Sequence, residues 1–111
     1  QLVLGPFHGQ PACIRIPIGK GVCGTAVSEN TVMLVEDVHA FSGHIACDAA
    51  SNSEIVLPIR FGDKIIAVLD LDSPDIARFD LEDKQGLTKI VNILQASLDE
   101  KNLSTFLGLS A

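Results

Sequence analysis

The chain has 111 residues, 47% of them hydrophobic and 20% charged. That balance excludes an intrinsically disordered polymer and leaves enough apolar material for one compact core. The net charge of −6 argues against nucleic acid as a partner, because phosphate binding draws on clustered Lys and Arg that release counterions.

The apolar runs are short, Ile65 to Leu69 being typical, whereas a membrane-spanning helix needs about 20 consecutive apolar residues. The opening QLVLGPFHG has neither a basic start nor a long apolar segment with a small-residue cleavage site, so it does not read as a secretory signal. The expectation is a cytoplasmic domain that does not enter a membrane. Three cysteines are an odd number, so a disulfide staple would leave one thiol over. In a reducing compartment, disulfides that do form are usually catalytic or redox-sensing.

In chain order, Gln1 to Leu4 and Ala12 to Ile16 read as two strands of a hairpin, joined by a stretch containing Gly5, Pro6, His8, Gly9 and Pro11. Gly19 and Gly21 then flank a loop that leads into Gly24, Thr25 and Ala26, small residues suited to a short, closely packed helix. Asn30 should end that helix, because Asn tolerates the left-handed conformation found just past helix ends. Thr31 to Val35 is a β-branched run and reads as a strand.

Glu36 to Ser53 is polar, small and without clear period. Connections longer than about 12 to 15 residues without structure are uncommon and usually carry function, which makes this loop the suspected site. Glu54 to Phe61 and Lys64 to Asp72 form a strand pair about Gly62-Asp63, with Ile65, Ala67, Leu69 and Leu71 on one face and Asp70 and Asp72 on the other. Leu87, Ile90, Val91, Leu94 and Leu98 recur at helical spacing behind a capping Asp80, so this helix should cover one sheet face.

Three features carry chemistry. Cys47 sits in GHIACDAASNSE among small and polar residues, three positions after His44. A thiol so placed is accessible and near a potential cation, and the thiolate is the nucleophile; the competing reading is an inert, buried cysteine. Cys13 falls on the second strand of the hairpin, and Cys23 at the start of the short helix, where the helix dipole favours a thiolate. Either could condense with a sulfenic acid on the attacking cysteine, and core packing is the competing reading for each.

Glu54, Asp70 and Asp72 are the third feature. Asp70 and Asp72 alternate onto one face, and Glu54 begins the adjoining strand. Carboxylates held together cannot all ionise, so one becomes a proton donor while the others attract a cation. A solvated strand end before Ser73-Pro74 is the plainer reading. His39 and His44 invite zinc, yet no paired ligand spacing supports a metal. The GKG at Gly19 to Gly21 completes neither a phosphate loop nor a dinucleotide fingerprint.

The segments IPIGKGVCGTA, VEDVHAFSGHIACDAASNSEIVLPI and VLDLDSP together resemble the free methionine-(R)-sulfoxide reductase family, whose members are built on a GAF domain. The resemblance runs from about Leu2 to Phe79 and includes all three cysteines and all three acids. It implies an α/β fold with a central antiparallel sheet flanked by helices. It also implies that Cys47 attacks the sulfoxide sulfur, that Cys13 resolves the sulfenic acid as a disulfide, and that thioredoxin reduces the pair.

By the same resemblance, Cys23 is auxiliary or able to exchange into a disulfide, and Glu54, Asp70 and Asp72 bind the substrate. Family members carry a further amino-terminal helix, a first strand and aromatic residues that close the pocket. Residues 1–111 are therefore expected to be a single GAF domain lacking that opening segment. Thiol chemistry of this kind calls for no metal or organic cofactor. The rival is a non-catalytic GAF sensor of a small ligand or of oxidation, a choice that fold alone does not make.

Overall fold

The computed structural model describes residues 1–10, 13–43 and 50–107, with side chains through residue 103. Two short strands open the chain, β1 (Leu2–Val3) and β2 (Arg15–Ile16), paired antiparallel with Leu2 opposite Ile16. The expected hairpin is present but trimmed. The ladder closes with the Leu4 N–H donating to the Ile14 carbonyl at 2.8 Å, just where Gly5-Pro6 follows and proline offers no further donor. Cys13 consequently stands ahead of the strand and not on it.

Helix α1 (Gly21–Glu29) follows. It ends where the sequence indicated, at Asn30, whose φ of 54° and ψ of 48° are left-handed. Arg60 secures that end, its Nε donating to Asn30 Oδ1 at 2.8 Å and its Nη2 to the Asn30 carbonyl at 3.1 Å. Gly24 is where the helix presses most closely on the preceding loop. A Cβ there would lie 2.6 Å from the Pro17 carbonyl oxygen and 3.0 Å from the Gly19 nitrogen, and neither backbone atom can step aside.

The main sheet has the order β3-β4-β5, formed by β3 (Met33–Val35), β4 (Ser53–Phe61) and β5 (Lys64–Ser73), all antiparallel. Residues directly opposite in an antiparallel ladder share a face, so two layers follow from the register. Ile55, Leu57 and Ile59, with Leu34, Ala67, Leu69 and Leu71, pack against Val91 and Leu87 of helix α2 (Leu81–Ser97). Val35 and Val56, with Met33 and Val68, pack against Val22, Cys23 and Ala26 of α1. This is the expected architecture, an antiparallel sheet between helices.

The pairing shifts from Ile59 opposite Ala67 to Arg60 opposite Ile65, so Ile66 is an extra residue in β5. Such a bulge reverses the faces on its far side. Ile66, not the expected Ile65, therefore joins the cluster under α2. Beside the bulge, the Arg60 N–H is taken up by Gln95 Oε1 of α2 at 2.7 Å, so an irregular ladder leaves no orphan donor there.

Asp80 caps α2 in a reciprocal box with Asp83. Of the expected apolar stripe, Leu87, Val91 and Leu98 reach the sheet, whereas Ile90 and Leu94 are exposed. After Asp99, which accepts from the Asn102 N–H at 2.9 Å, comes helix α3 (Glu100–Leu107). Among the described residues no helix is long and apolar enough to cross a membrane.

The region expected to be one period-less loop, Glu36 to Ser53, is partly structured. Val38–Ala40 form a 3-10 turn, with the Asp37 carboxylate accepting from the His39 N–H at 3.0 Å. Val38 is fully buried in the α1-side core. His44 and Cys47 lie outside the described residues.

The close approach at Gly24 is open to a direct check. Gly24→Ala is expected to lower folding stability by about 1–3 kcal/mol through overpacking against backbone. Gly5→Ala, which meets nothing within 4 Å, serves as the neutral comparison, and chemical denaturation reads both.

Candidate functional site

The register of β4 against β5 builds the site. Glu54 stands opposite Asp72 and Val56 opposite Asp70, so all three acids fall on the α1 face. Their convergence, expected from strand alternation, is what the structure shows. Glu54 is buried, Asp70 half-buried and Asp72 exposed.

From the other side α1 lowers Cys23 onto them. The Cys23 thiol donates to Asp70 Oδ2 at 3.3 Å, and its sulfur lies 3.9 Å from Glu54 Oε2. The close contact of Gly24 with the Pro17 carbonyl sets how this helix sits, and thus where its neighbour Cys23 points.

Negative charge gathered in a poorly solvated place must be shed as protons. Burial, then the hydrogen bond and charge of Asp70, then the charge of Asp72, push Glu54 up to about 11, so it is a neutral acid at neutral pH. Burial, followed by the charges of Asp70 and Glu54, raises the Cys23 thiol far above its ordinary range. The dipole of α1 was expected to favour a Cys23 thiolate. A helix end contributes only about 0.3–1 kcal/mol, and adjoining carboxylates outweigh it.

One acceptor is left over. Asp70 Oδ1 is buried and takes no hydrogen bond among the described residues, a condition that costs about 1–3 kcal/mol unless a donor arrives. The Cys23 sulfur and carboxylate oxygens of Glu54 and Asp70 also lie within 4.8 Å of one another, the one set among the described residues whose spacing could hold a metal ion. His39, weighed earlier as a zinc ligand, is not part of it: its Nε2 hydrogen-bonds with Asn52 Oδ1 at 2.9 Å.

Cys13 is half-buried and disulfide-bonded, its partner lying outside the described residues, whereas Cys23 is a free thiol. Cys47, the expected nucleophile, lies outside them as well. The structure thus brings Cys23 together with Glu54, Asp70 and Asp72.

Sequence reasoning missed Ser51 and Asn52. Ser51 is buried, and its hydroxyl donates to Asp72 Oδ1 at 3.1 Å. Asn52 donates from its backbone to the Ser73 carbonyl at 2.8 Å and from Nδ2 to the Pro74 carbonyl at 2.6 Å. In sequence both read as loop polar residues, and nothing local announces bonds spanning some twenty positions.

Burial of a neutral Glu54 has a pH signature. Its pKa is raised on folding, from 4.5 to about 11, so its contribution is most favourable below about pH 4.5 and is lost as pH climbs toward 11. Glu54→Gln, uncharged at every pH, is expected to be more stable than the parent at pH 7 by up to about 3 kcal/mol. The gap should close toward pH 4, as denaturant midpoints measured across that range would show.

Comparison with known proteins places this geometry among relatives. The GAF domain family model matches residues 2–98. The free methionine-R-sulfoxide reductase of Escherichia coli (strain K12) is 58% identical over 105 residues, covering 95% of this chain and 64% of that protein. The structure of fRMsr of Staphylococcus aureus in complex with substrate is 61% identical with a TM-score of 0.82, covering 87% of this chain and 63% of that one. Free methionine-R-sulfoxide reductase from Neisseria meningitidis, also in complex with its substrate, is 46% identical with a TM-score of 0.83, covering 85% and 56% respectively. The chain spans about three fifths of the length of the curated relatives it matches.

Proposed function

The chain belongs to the GAF domain family, and from that premise we propose that the complete protein reduces free L-methionine-(R)-sulfoxide to L-methionine, in the cytoplasm, as a repair of oxidative damage. The observation that carries the reading is the pairing of a neutral buried acid, Glu54, with the acids Asp70 and Asp72 beside it. A sulfoxide oxygen needs a proton donor as it leaves, and a free amino acid brings an ammonium group that needs anions. The likeness to reductases whose solved structures hold substrate supports the same reading.

In the proposed reaction the ammonium group settles against Asp70 and Asp72, giving the buried Asp70 Oδ1 the donor it lacks. The arriving positive charge offsets the negative charge that raises Glu54, so this acid strengthens once substrate is bound. The Cys47 thiolate attacks the sulfoxide sulfur. Glu54 gives its proton to the oxygen, which passes from the substrate sulfur to the Cys47 sulfur as the substrate S–O bond and the transient bond between the two sulfurs break; methionine leaves reduced by two electrons and Cys47 is oxidised by two to a sulfenic acid.

The Cys13 thiol then displaces water from that sulfenic acid to form a disulfide, which an external dithiol, thioredoxin, opens by exchange. The two electrons reach sulfur through thiols alone, and this route uses neither metal nor organic cofactor. Cys23, held as a thiol by the acids, supplies a hydrogen bond to Asp70 and is auxiliary.

Supplying full-length protein with thioredoxin recycling and with free (R)- or (S)-methionine sulfoxide tests the reading. Methionine release is expected from the (R) form alone. Cys47→Ser should abolish it, Cys13→Ser should release one equivalent and then stall, and Glu54→Gln should slow it by about 100-fold or more, the usual worth of a general acid. A folded protein that released nothing from either form would instead favour a ligand- or redox-sensing GAF domain.

A further inference from the structure

We infer that Cys23, Glu54 and Asp70 form a binding site for a thiophilic divalent cation, Zn²⁺ above all, and that an ion held there shuts out the substrate; the second half rests on the function proposed above. The three side chains come from three elements, Cys23 from α1, Glu54 from β4 and Asp70 from β5. Their donor atoms all lie within 4.8 Å of one another. Zinc takes sulfur at about 2.3 Å and carboxylate oxygen at about 2.0–2.2 Å in a tetrahedral arrangement, which sets sulfur and oxygen about 3.5 Å apart. Cys23 Sγ lies 3.3 Å from Asp70 Oδ2 and 3.9 Å from Glu54 Oε2, one on either side of that separation.

The donor set selects the ion. Mg²⁺ and Ca²⁺ surround themselves with about six to eight oxygens, whereas this cluster offers one sulfur and two carboxyls. Sulfur mixed with carboxylate at tetrahedral spacing suits zinc.

Two observations mark the cluster as a place for a cation. Asp70 Oδ1 is buried and takes no hydrogen bond among the described residues, so the carboxylate has a demand for positive charge that the fold leaves unmet. Cys23 and Glu54 are each 7% exposed, and in so poorly solvated a place little screens an ion from its ligands. Folding has also done the assembling. Glu54 already hydrogen-bonds with Asp70 and Asp72, the register of β4 on β5 fixes the acids, and the contact of Gly24 with the Pro17 carbonyl fixes Cys23. An ion therefore meets ligands that are ordered before it arrives, which lowers the entropy lost on binding.

Only deprotonated groups are ligands, so the protons of Cys23 and Glu54 leave as the ion enters. Two protons are exchanged for one dication, and the charge of the cluster is unchanged. The consequence is inhibition. An ion on Asp70 occupies the carboxylate against which the ammonium group is proposed to settle, and it takes from Glu54 the proton proposed for the sulfoxide oxygen.

Full-length protein carrying Cys13→Ser and Cys47→Ser keeps Cys23 as the one thiol of these 111 residues. It is titrated with Co²⁺, whose thiolate complexes absorb in the near ultraviolet, and then with Zn²⁺. Co²⁺ is expected to produce that band and Zn²⁺ to displace it. Adding Cys23→Ser should remove the band. Adding Glu54→Gln or Asp70→Asn, both close in shape to the parent, should weaken Zn²⁺ by about tenfold or more, no less than loss of a residue behind a ligand costs. Calorimetry with free L-methionine-(R)-sulfoxide should show binding weakened about tenfold or more at a Zn²⁺ concentration that just saturates the parent, and no such loss once Cys23→Ser is added.

Absence of the band overturns the site, and so does a Zn²⁺ affinity indifferent to both acid substitutions, because the thiol would then bind alone. Zn²⁺ that binds but leaves the affinity for the amino acid unchanged overturns the exclusion of substrate. Failure of the amino acid to bind even without Zn²⁺ overturns the substrate reading and the exclusion with it, while the band and the acid substitutions judge the metal site separately.

Discussion

A slip of one residue between β4 and β5 would carry every side chain of the moved strand to the opposite face. Glu54 would then point into the layer under α2, and its place beside Asp70 and Asp72 would be taken by Ser53 or Ile55, neither of which carries a carboxyl. Everything chemical in this domain depends on that register. It is held from both sides, because Ile55, Leu57 and Ile59 must face α2 while Val56 faces α1.

With the register set, electrostatics acts against the fold and in favour of the site. Four groups that could each carry negative charge, Cys23, Glu54, Asp70 and Asp72, are gathered under one helix, and the protein answers by keeping protons on Cys23 and Glu54. An apolar residue in place of Glu54 would fold more readily. Strain of this kind persists where it is useful, here in an acid that keeps its proton at neutral pH and an unfilled acceptor at Asp70 Oδ1. The neutral Cys23 fits the same logic: a second anion within 4 Å of Asp70 and Glu54 would have no counterion among the described residues there.

The irregular parts of the structure serve the regular ones. The bulge at Ile66 bends the far end of β5 and exposes a backbone donor, which Gln95 of α2 accepts. The contacts of Asn52 attach the start of β4 to the end of β5 at the opposite extremity. The hairpin is thus tied at both ends, and the acids sit near the end tied by Ser51 and Asn52. Gly24 contributes by absence of a side chain, which lets α1 approach the Pro17 carbonyl and bring Cys23 within reach of the carboxylates.

Much of this was legible in the residues alone, where the governing physics is local. Alternation placed Asp70 and Asp72 on one face, Asn30 announced the left-handed end of α1, Asp80 announced the start of α2, and the Gly62-Asp63 turn announced the hairpin. The run of matching motifs pointed to the GAF fold. Other features depend on contacts between distant segments, and no window of sequence contains them. The bulge exchanged Ile66 for Ile65, and burial together with three carboxylates overrode the helix dipole at Cys23. The bond from Ser51 to Asp72 belongs to the same class. Sequence by itself determined which residues could pair, cap and alternate, because those preferences act over a few positions; tertiary structure decided which charges met, because burial and Coulomb energy depend on distance in space.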